Sequence, residues 1–312
     1  MTPVFEVLQP GVLATFQDLG RTGLQRFGVG TAGAMDRFAL QVGNLLVGNP
    51  RGTAALEIGL GGLRLRCLED WIVSVCGADL GVAIPLWKSL RVRKGDELFF
   101  RSAVRGAWAY LALAGGLVAE SVLGSRSTSV RELLGARPAA KGDLLRAEPP
   151  RPSARDGRLF LPSAVPDYPD SVVVRVVLGP QDDRFTEEAV QTFLSGSFQV
   201  TPRSNRMGYQ LAGPALRHRD TADILSEAVA EGAIQVPADG QPIVLMADRQ
   251  TTGGYTKIAT VISADLPAMA QARPGTKVAF RSVGVDEAQD AAAEVERTLS
   301  TLQTGCGVQG TS

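Results

Sequence analysis

The sequence predicts a mainly β protein of two lobes with a few short helices. Three observations carry that prediction. Short apolar runs rich in Val, Leu, Ile and Phe recur along the chain, many alternating with polar residues, the period of a strand with one buried face. Gly and Pro punctuate these runs, 35 and 18 among 312 residues, well above the roughly 12% of an average chain. A Pro-rich stretch from Glu148 to Asp170, holding Pro149, Pro150, Pro152, Pro162, Pro166 and Pro169 among charges, reads as a linker with a boundary near residue 168.

In order, strands are expected at Val4–Leu8, Ala55–Ile58, Leu63–Cys67, Trp71–Cys76, Val82–Leu86, Glu97–Phe100 and Trp108–Leu113. After the linker they are expected at Val172–Leu178, Phe198–Thr201, Ile243–Ala247, Lys257–Ile262 and Lys277–Arg281. The run Leu63-Arg64-Leu65-Arg66 shows the alternation most plainly. Asp36–Leu46 gathers Phe38, Ala39, Val42, Leu45 and Leu46 on one helical face and stops at Gly48-Asn49-Pro50. Asp183–Leu194 repeats that pattern up to Gly196, and Asp265-Leu266-Pro267 opens a short helix with an Asp cap. Asp286–Leu302 is a polar, Ala-rich helix, followed by a tail from Gln303 expected to be disordered. The lobes are therefore placed at 1–168, linker included, and 169–287, with the helix and tail in 288–312. Turns at Lys94-Gly95-Asp96, Lys141-Gly142-Asp143 and Pro274-Gly275-Thr276 hint at one plan used twice.

Composition excludes several classes of function. The 32 Lys+Arg balance 32 Asp+Glu, so there is no basic surplus for nucleic acid. One His and three Cys, at 67, 76 and 306, cannot build a multi-His zinc site, a Cys₄ site or a disulfide framework. No metal site is expected. No run approaches the ~18 apolar residues of a membrane span, and the first residues lack a signal-peptide pattern, so no membrane role is expected. With so few cysteines the expected compartment is a reducing cytoplasm. Of the cations 27 are Arg and five Lys, which singles out Lys257.

Three stretches could carry chemistry. Gly28, Gly30 and Gly33 satisfy G-x-G-x-x-G before a helix, but a dinucleotide fold needs a buried strand before them and βα units after; a tight turn is the plainer reading. Gln17-Asp18-Leu19-Gly20-Arg21 could hold an amide and a carboxylate, or form an ion pair that locks a turn. The densest set is Ser204–Tyr209, Ser226-Glu227, Gly232–Pro237 and Met246–Lys257. In it Asp248 could act as a base or accept an amide N–H, Gly253 and Gly254 would let backbone approach a ligand, and Tyr255 and Lys257 could donate to an oxyanion. A Gly-rich hairpin with solvated side chains explains the same residues. There is no P-loop motif for ATP. His218, between Arg217 and Arg219, reads as a solvated loop residue, and Cys76 as core.

The runs "QPGVLATFQDLGRTGLQRFGVGTAGAMDRFALQVGNLLVGN", "GSRST", "LGPQDDRF", "SNRMGYQLAG" and "ADRQTTGGYTKIATVISADLPAMAQARPG" together resemble the biotin-dependent carboxyltransferase subdomain A/B family. That family includes KipA and the C component of 5-oxoprolinase, and is also labelled allophanate hydrolase subunit 2. The resemblance covers about residues 4 to 287. It implies two cyclophilin-like β-barrel lobes. It also implies membership of a complex that cleaves 5-oxo-L-proline to L-glutamate with ATP. The partners would be a KipI-like subunit (the B component of 5-oxoprolinase) and a LamB/YcsF-like subunit (its A component). ATP would be bound in the complex rather than by a motif in this chain.

For such a substrate the expected catalytic residues are Asp248, Lys257 and Tyr255. The expected binding residues are Arg206, Arg249, Gln250, Thr251, Gly253 and Gly254, with Gln17, Asp18 and Arg21. Two alternatives follow from the same resemblance. One is a biotin-dependent carboxyltransferase acting on urea or another small amide, with biotin carried on another protein because this chain has no Met-Lys-Met attachment site. The other is a regulatory subunit that sequesters a KipI-like kinase inhibitor. The chain departs from the family pattern at Gln210, usually Arg, and at Thr256, usually Pro.

Overall fold

The computed structural model describes residues 1–308 and is mainly β. The described residues form two compact units, one of Met1–Arg21, Ala32–Asp167 and residues 297–308, the other of Thr22–Thr31 and Tyr168–Glu296. The main division falls inside the Pro-rich stretch. The sequence carries no sign that Thr22–Thr31 joins the second unit.

The first unit contains β1 (Thr2–Pro10), β2 (Leu13–Gln17), α1 (Arg37–Leu46), β3 (Ala55–Gly59), β4 (Gly61–Cys67), β5 (Trp71–Asp79), β6 (Ser89–Val92), β7 (Glu97–Ser102), β8 (Arg105–Leu113) and β9 (Leu144–Ala147). They build two sheets, in the orders β7-β4-β1-β9 and β2-β3-β8-β5-β6. In β4 the alternation acts as expected: Leu63, Leu65 and Cys67 are buried, while Arg64 and Arg66 reach water and pair with Glu97 and Glu6. Strands β5 and β8 are buried at nearly every position, which requires continuous apolar runs instead of alternation. Helix α1 lies against both. Its Asp36 cap accepts from Ala39 N–H at 2.9 Å, and the Ser74 hydroxyl donates to Gly43 C=O at 2.7 Å.

The second unit contains β10 (Ser171–Leu178), α2 (Glu187–Ser195), β11 (Phe198–Val200), β12 (Gly208–Ala212), β13 (Asp223–Ala228), β14 (Ala233–Gln235), β15 (Ile243–Leu245), β16 (Thr252–Tyr255), β17 (Lys257–Val261), α3 (Leu266–Gln271) and β18 (Lys277–Ser282). Helix α4 (Val285–Gly305) starts in this unit, and its residues from Arg297 belong to the first. Seven strands close a barrel in the order β10-β17-β14-β15-β12-β11-β18, antiparallel except for β10 with β18. Val174, Val176, Ile234, Val244, Ile258 and Val278 are fully buried in it. Phe280 of β18 stacks on Phe193 of α2 with ring centroids 4.5 Å apart. Strands β13 and β16 form a separate two-stranded ribbon.

Several expectations need correction. Val82–Leu86 is a loop, because Pro85 cannot donate to a ladder, and the strand forms later, at β6. Helix α2 begins at Glu187, where Thr186 Oγ1 accepts from Ala189 N–H; Asp182–Arg184 make a separate 3₁₀ turn. Asp265 precedes α3 but makes no cap hydrogen bond. Its carboxylate instead takes Arg175, with Nη2 to Oδ1 at 2.6 Å. The closing helix extends past its expected end at Leu302, through Gln303 to Gly305. Of the rest of the expected tail, residues 306–308 are described, with Cys306 and Val308 buried, and residues 309–312 lie outside the described residues.

Candidate functional site

The expected site residues fall into two local groups. Gln17, Asp18 and Arg21 lie at or just beyond the end of β2 in the first unit and are buried. Asp18 accepts from Gly20 N–H (2.8 Å), Ser125 O–H (2.7 Å), Ser127 O–H (2.6 Å) and Arg126 N–H (2.6 Å). Arg21 donates to Val122 C=O and Ser127 C=O, and Gln17 to Thr15 Oγ1 and Thr128 C=O. A carboxylate with four donors is fully engaged. These residues bind the Gly124–Thr128 segment to the end of β2, so the turn-locking reading fits them.

The other expected residues lie in the second unit, in or next to the loop between β15 and β17. Asp248 and Arg206 face each other, with Nε to Oδ2 at 2.8 Å and Nη2 to Oδ1 at 3.0 Å. Their side chains are 4% and 6% exposed. Asp248 N–H also donates to Arg206 C=O. This buried, bidentate pair uses the oxygens that a base would offer and the guanidinium edge that a substrate carboxylate would need. Arg249 is buried too, donating to Val229 C=O and Met246 C=O with Glu231 3.8 Å away. Tyr255 is 41% exposed, on the ribbon.

Lys257 is placed differently. It opens β17 opposite Gln235 of β14, and its side chain is only 4% exposed. Its Nζ lies 2.6 Å from Glu227 Oε1, off the angle of a good hydrogen bond. Gln181 brackets it: Lys257 N–H donates to Gln181 Oε1 at 3.1 Å, and Gln181 N–H donates to Lys257 C=O at 3.1 Å. Gln181 Nε2 donates to the same Glu227 oxygen at 2.8 Å. Lys257 foremost, then Gln181, holds the Glu227 carboxyl below the usual carboxylate range.

Beside Lys257, the buried Gln235 has an amide nitrogen with no acceptor. A buried donor left unmade costs on the order of 1–3 kcal/mol, and such a group marks a place where a ligand would be favoured. Gly253, the cross-strand partner of Glu227, covers it. A Cβ at 253 would stand 2.5 Å from Gln235 Nε2. Gln250 Nε2 donates weakly to Gln235 Oε1 at 3.4 Å. Gln250 and Thr251 also line a narrow crevice with Gln25 and Thr31, holding about 140 Å³ of empty space. The crevice is too tight to admit a water molecule. Thr31 Oγ1 is buried there without a partner.

The Gly-x-Gly stretch thus meets the polar loop inside the second unit, but not as a phosphate cradle. Gly28 ends a 3₁₀ turn, Gln25–Phe27, with φ +81°. In the first unit, the N-terminus of α1 is already served by Asp36. His218 is half-buried rather than solvated. It packs on Phe185 at 4.6 Å, and its Nε2 meets Val236 C=O and Thr256 Oγ1. Burial lowers its basicity. Thr256 N–H donates to Ala222 C=O, a bond that the family's usual Pro could not make. Cys76 is fully buried, and burial pushes its thiol well up. Among the described residues no group of three or more His, Cys, Asp and Glu could hold a metal ion. Among the described residues no helix is long and apolar enough to cross a membrane.

The sequence places Glu227 and Gln235 in the densest polar set without a role, and Gln181 only inside a recognisable run. Their signal is polar residues next to short apolar strands, which becomes chemistry only when the barrel closes.

The carboxyltransferase domain family, subdomains A and B, matches residues 27–282. The chain belongs to this family. It is 37% identical over 291 residues to the C component of 5-oxoprolinase from Haemophilus influenzae, covering 91% of this chain and 93% of that one. It is 33% identical over 305 residues to the same component from Escherichia coli, covering 96% and 97%. Its fold is similar to that of K. lactis urea amidolyase, with a TM-score of 0.90 at 26% identity over 99% of this chain. The chain spans about a fifth of that enzyme, 20% of its length.

Proposed function

We propose that this protein is the C component of an ATP-dependent 5-oxoprolinase that opens 5-oxo-L-proline to L-glutamate, acting with KipI-like and LamB/YcsF-like subunits in the cytoplasm. The observation that carries this reading is the end-to-end match to two bacterial proteins of that name. The match to urea amidolyase covers only a fraction of a much longer chain.

The site chemistry supports the reading. 5-Oxoproline offers two acceptors, a carboxylate and a lactam carbonyl oxygen. The second unit offers a buried ammonium, Lys257, and beside it an amide donor on Gln235 that lacks an acceptor. Donors already oriented in a water-poor site stabilise charge that builds on a carbonyl oxygen more than donors in water do. The Asp248–Arg206 pair has a different part. It holds the loop that carries Gly253 and Gly254, which excludes bulk above Gln235. The sequence has no P-loop motif, and on this reading ATP chemistry belongs to a partner subunit.

The test is reconstitution with the two partner subunits, measuring L-glutamate release with and without ATP. ATP-dependent release is expected. No release with all three subunits present would refute the reading, and inhibition by avidin would favour the biotin-dependent alternative. In the same assay Gly253→Ala is expected to lower kcat/KM about tenfold or more, because its Cβ must displace the Gln235 amide. Unchanged kinetics would remove Gln235 from the site.

A further inference from the structure

The most unusual feature near Lys257 is what covers it. A buried ammonium is costly unless paired, and among the described residues Lys257 Nζ has one partner, the Glu227 carboxylate. Glu227 is not part of the barrel. It sits on β13 of the ribbon, where its side chain is 46% exposed. One face of the carboxylate is thus in solvent, and the other fills a place defined by Lys257 Nζ at 2.6 Å and Gln181 Nε2 at 2.8 Å. Gln181 is itself oriented by two hydrogen bonds to the Lys257 backbone. The ribbon is lightly anchored: every residue of β13 except Ile224 is exposed, and Leu225 is 94% exposed. Few buried contacts are the mark of an element that opens at low cost.

We propose that Lys257 and Gln181 form a carboxylate-binding subsite, that Glu227 occupies it as an internal surrogate, and that the carboxylate of the substrate displaces Glu227 and lifts the ribbon. The proposal rests on the reading of this chain as a 5-oxoprolinase subunit, which supplies the carboxylate-bearing substrate. Several observations fit it. The subsite is rigid, because both donors belong to the barrel or are bonded to it. Its occupant belongs to the lightly anchored ribbon. The orphan amide of Gln235 lies under Gly253, the register partner of Glu227. A ligand that replaces Glu227 therefore arrives next to a donor suited to its carbonyl. The apparent affinity of the subsite for a carboxylate is set by how often Glu227 vacates it.

The test measures equilibrium binding of 5-oxo-L-proline and of 2-pyrrolidinone, the same lactam without the carboxylate. Full-length chain, alone and in the assembled complex, is compared with Glu227→Gln. The variant keeps the size of the side chain and removes its charge. Expected results are binding of 5-oxo-L-proline at least about fivefold tighter in the variant, a lower KM at similar kcat, and no change for 2-pyrrolidinone. Weaker or unchanged binding of 5-oxo-L-proline by a variant with normal thermal unfolding would overturn the proposal, as would equal tightening for 2-pyrrolidinone. Wild-type turnover separates the two ideas. If the wild-type complex releases glutamate and the variant effect is absent, only the surrogate role fails. If the complex is inactive while the carboxylate-dependent tightening is present, the subsite stands and the assigned reaction fails.

Discussion

Replacing Lys257 with methionine is expected to lower kcat/KM for 5-oxo-L-proline by about 100-fold in the reconstituted complex, mostly through KM. Hydrogen bonds to charged groups contribute about 1.5–3 kcal/mol, and one lost from a bound carboxylate removes affinity before it removes turnover. Stability should change little. Methionine has nearly the shape of the lysine stem, and Glu227, whose side chain is 46% exposed, can hydrate when its partner is gone. The measurement is steady-state kinetics beside thermal unfolding. Wild-type kinetics in a folded variant would exclude Lys257 from the site. A large loss of stability would instead make it a scaffold residue.

The second large effect is on stability. Arg206→Ala is expected to destabilise the protein by about 3–5 kcal/mol, because it leaves the Asp248 carboxylate charged, buried and without its guanidinium. Arg206→Met combined with Asp248→Leu should lose much less, since well-packed apolar pairs often replace buried ion pairs at little cost. Chemical denaturation of Arg206→Met, Asp248→Leu and the double variant gives the coupling between the two residues. Additive losses would mean that the bidentate contact is not the source of the cost. The contrast with Lys257 is informative: two pairs of opposite charge in one unit are expected to differ in purpose because they differ in burial. Both members of the Arg206–Asp248 pair are buried, whereas only one member of the Lys257–Glu227 pair is.

Much of the architecture is legible in the sequence. Alternation in Leu63–Cys67 and the helical periodicity of Asp36–Leu46 each leave a local signature, and each element is found where expected. Some strands escape such a reading. The strands β13 and β16 carry Ser226, Glu227, Gly253 and Gly254 rather than an apolar face, because the ribbon packs little. Short strands such as β14 show only three residues to a pattern search. The same limit applies to the site. Asp248, Arg206 and Lys257 stand out by type and spacing, but type does not say which charge meets which.

The balance of residues and the order of apolar runs and turns are enough to establish a mainly β chain in two parts. The quoted motifs are enough to place it in its family, because these features are local and survive in one dimension. Only the folded chain decides that Asp18 spends its oxygens on Ser125, Arg126 and Ser127, and that Asp248 spends its own on Arg206. It also leaves Lys257, Gln181 and Gln235 beside a carboxylate that can leave. The physical reason is that a polar group's role depends on whether its hydrogen bonds are already satisfied. Partners 42 or 109 residues away in the chain settle that, and only closure of the sheets brings them together.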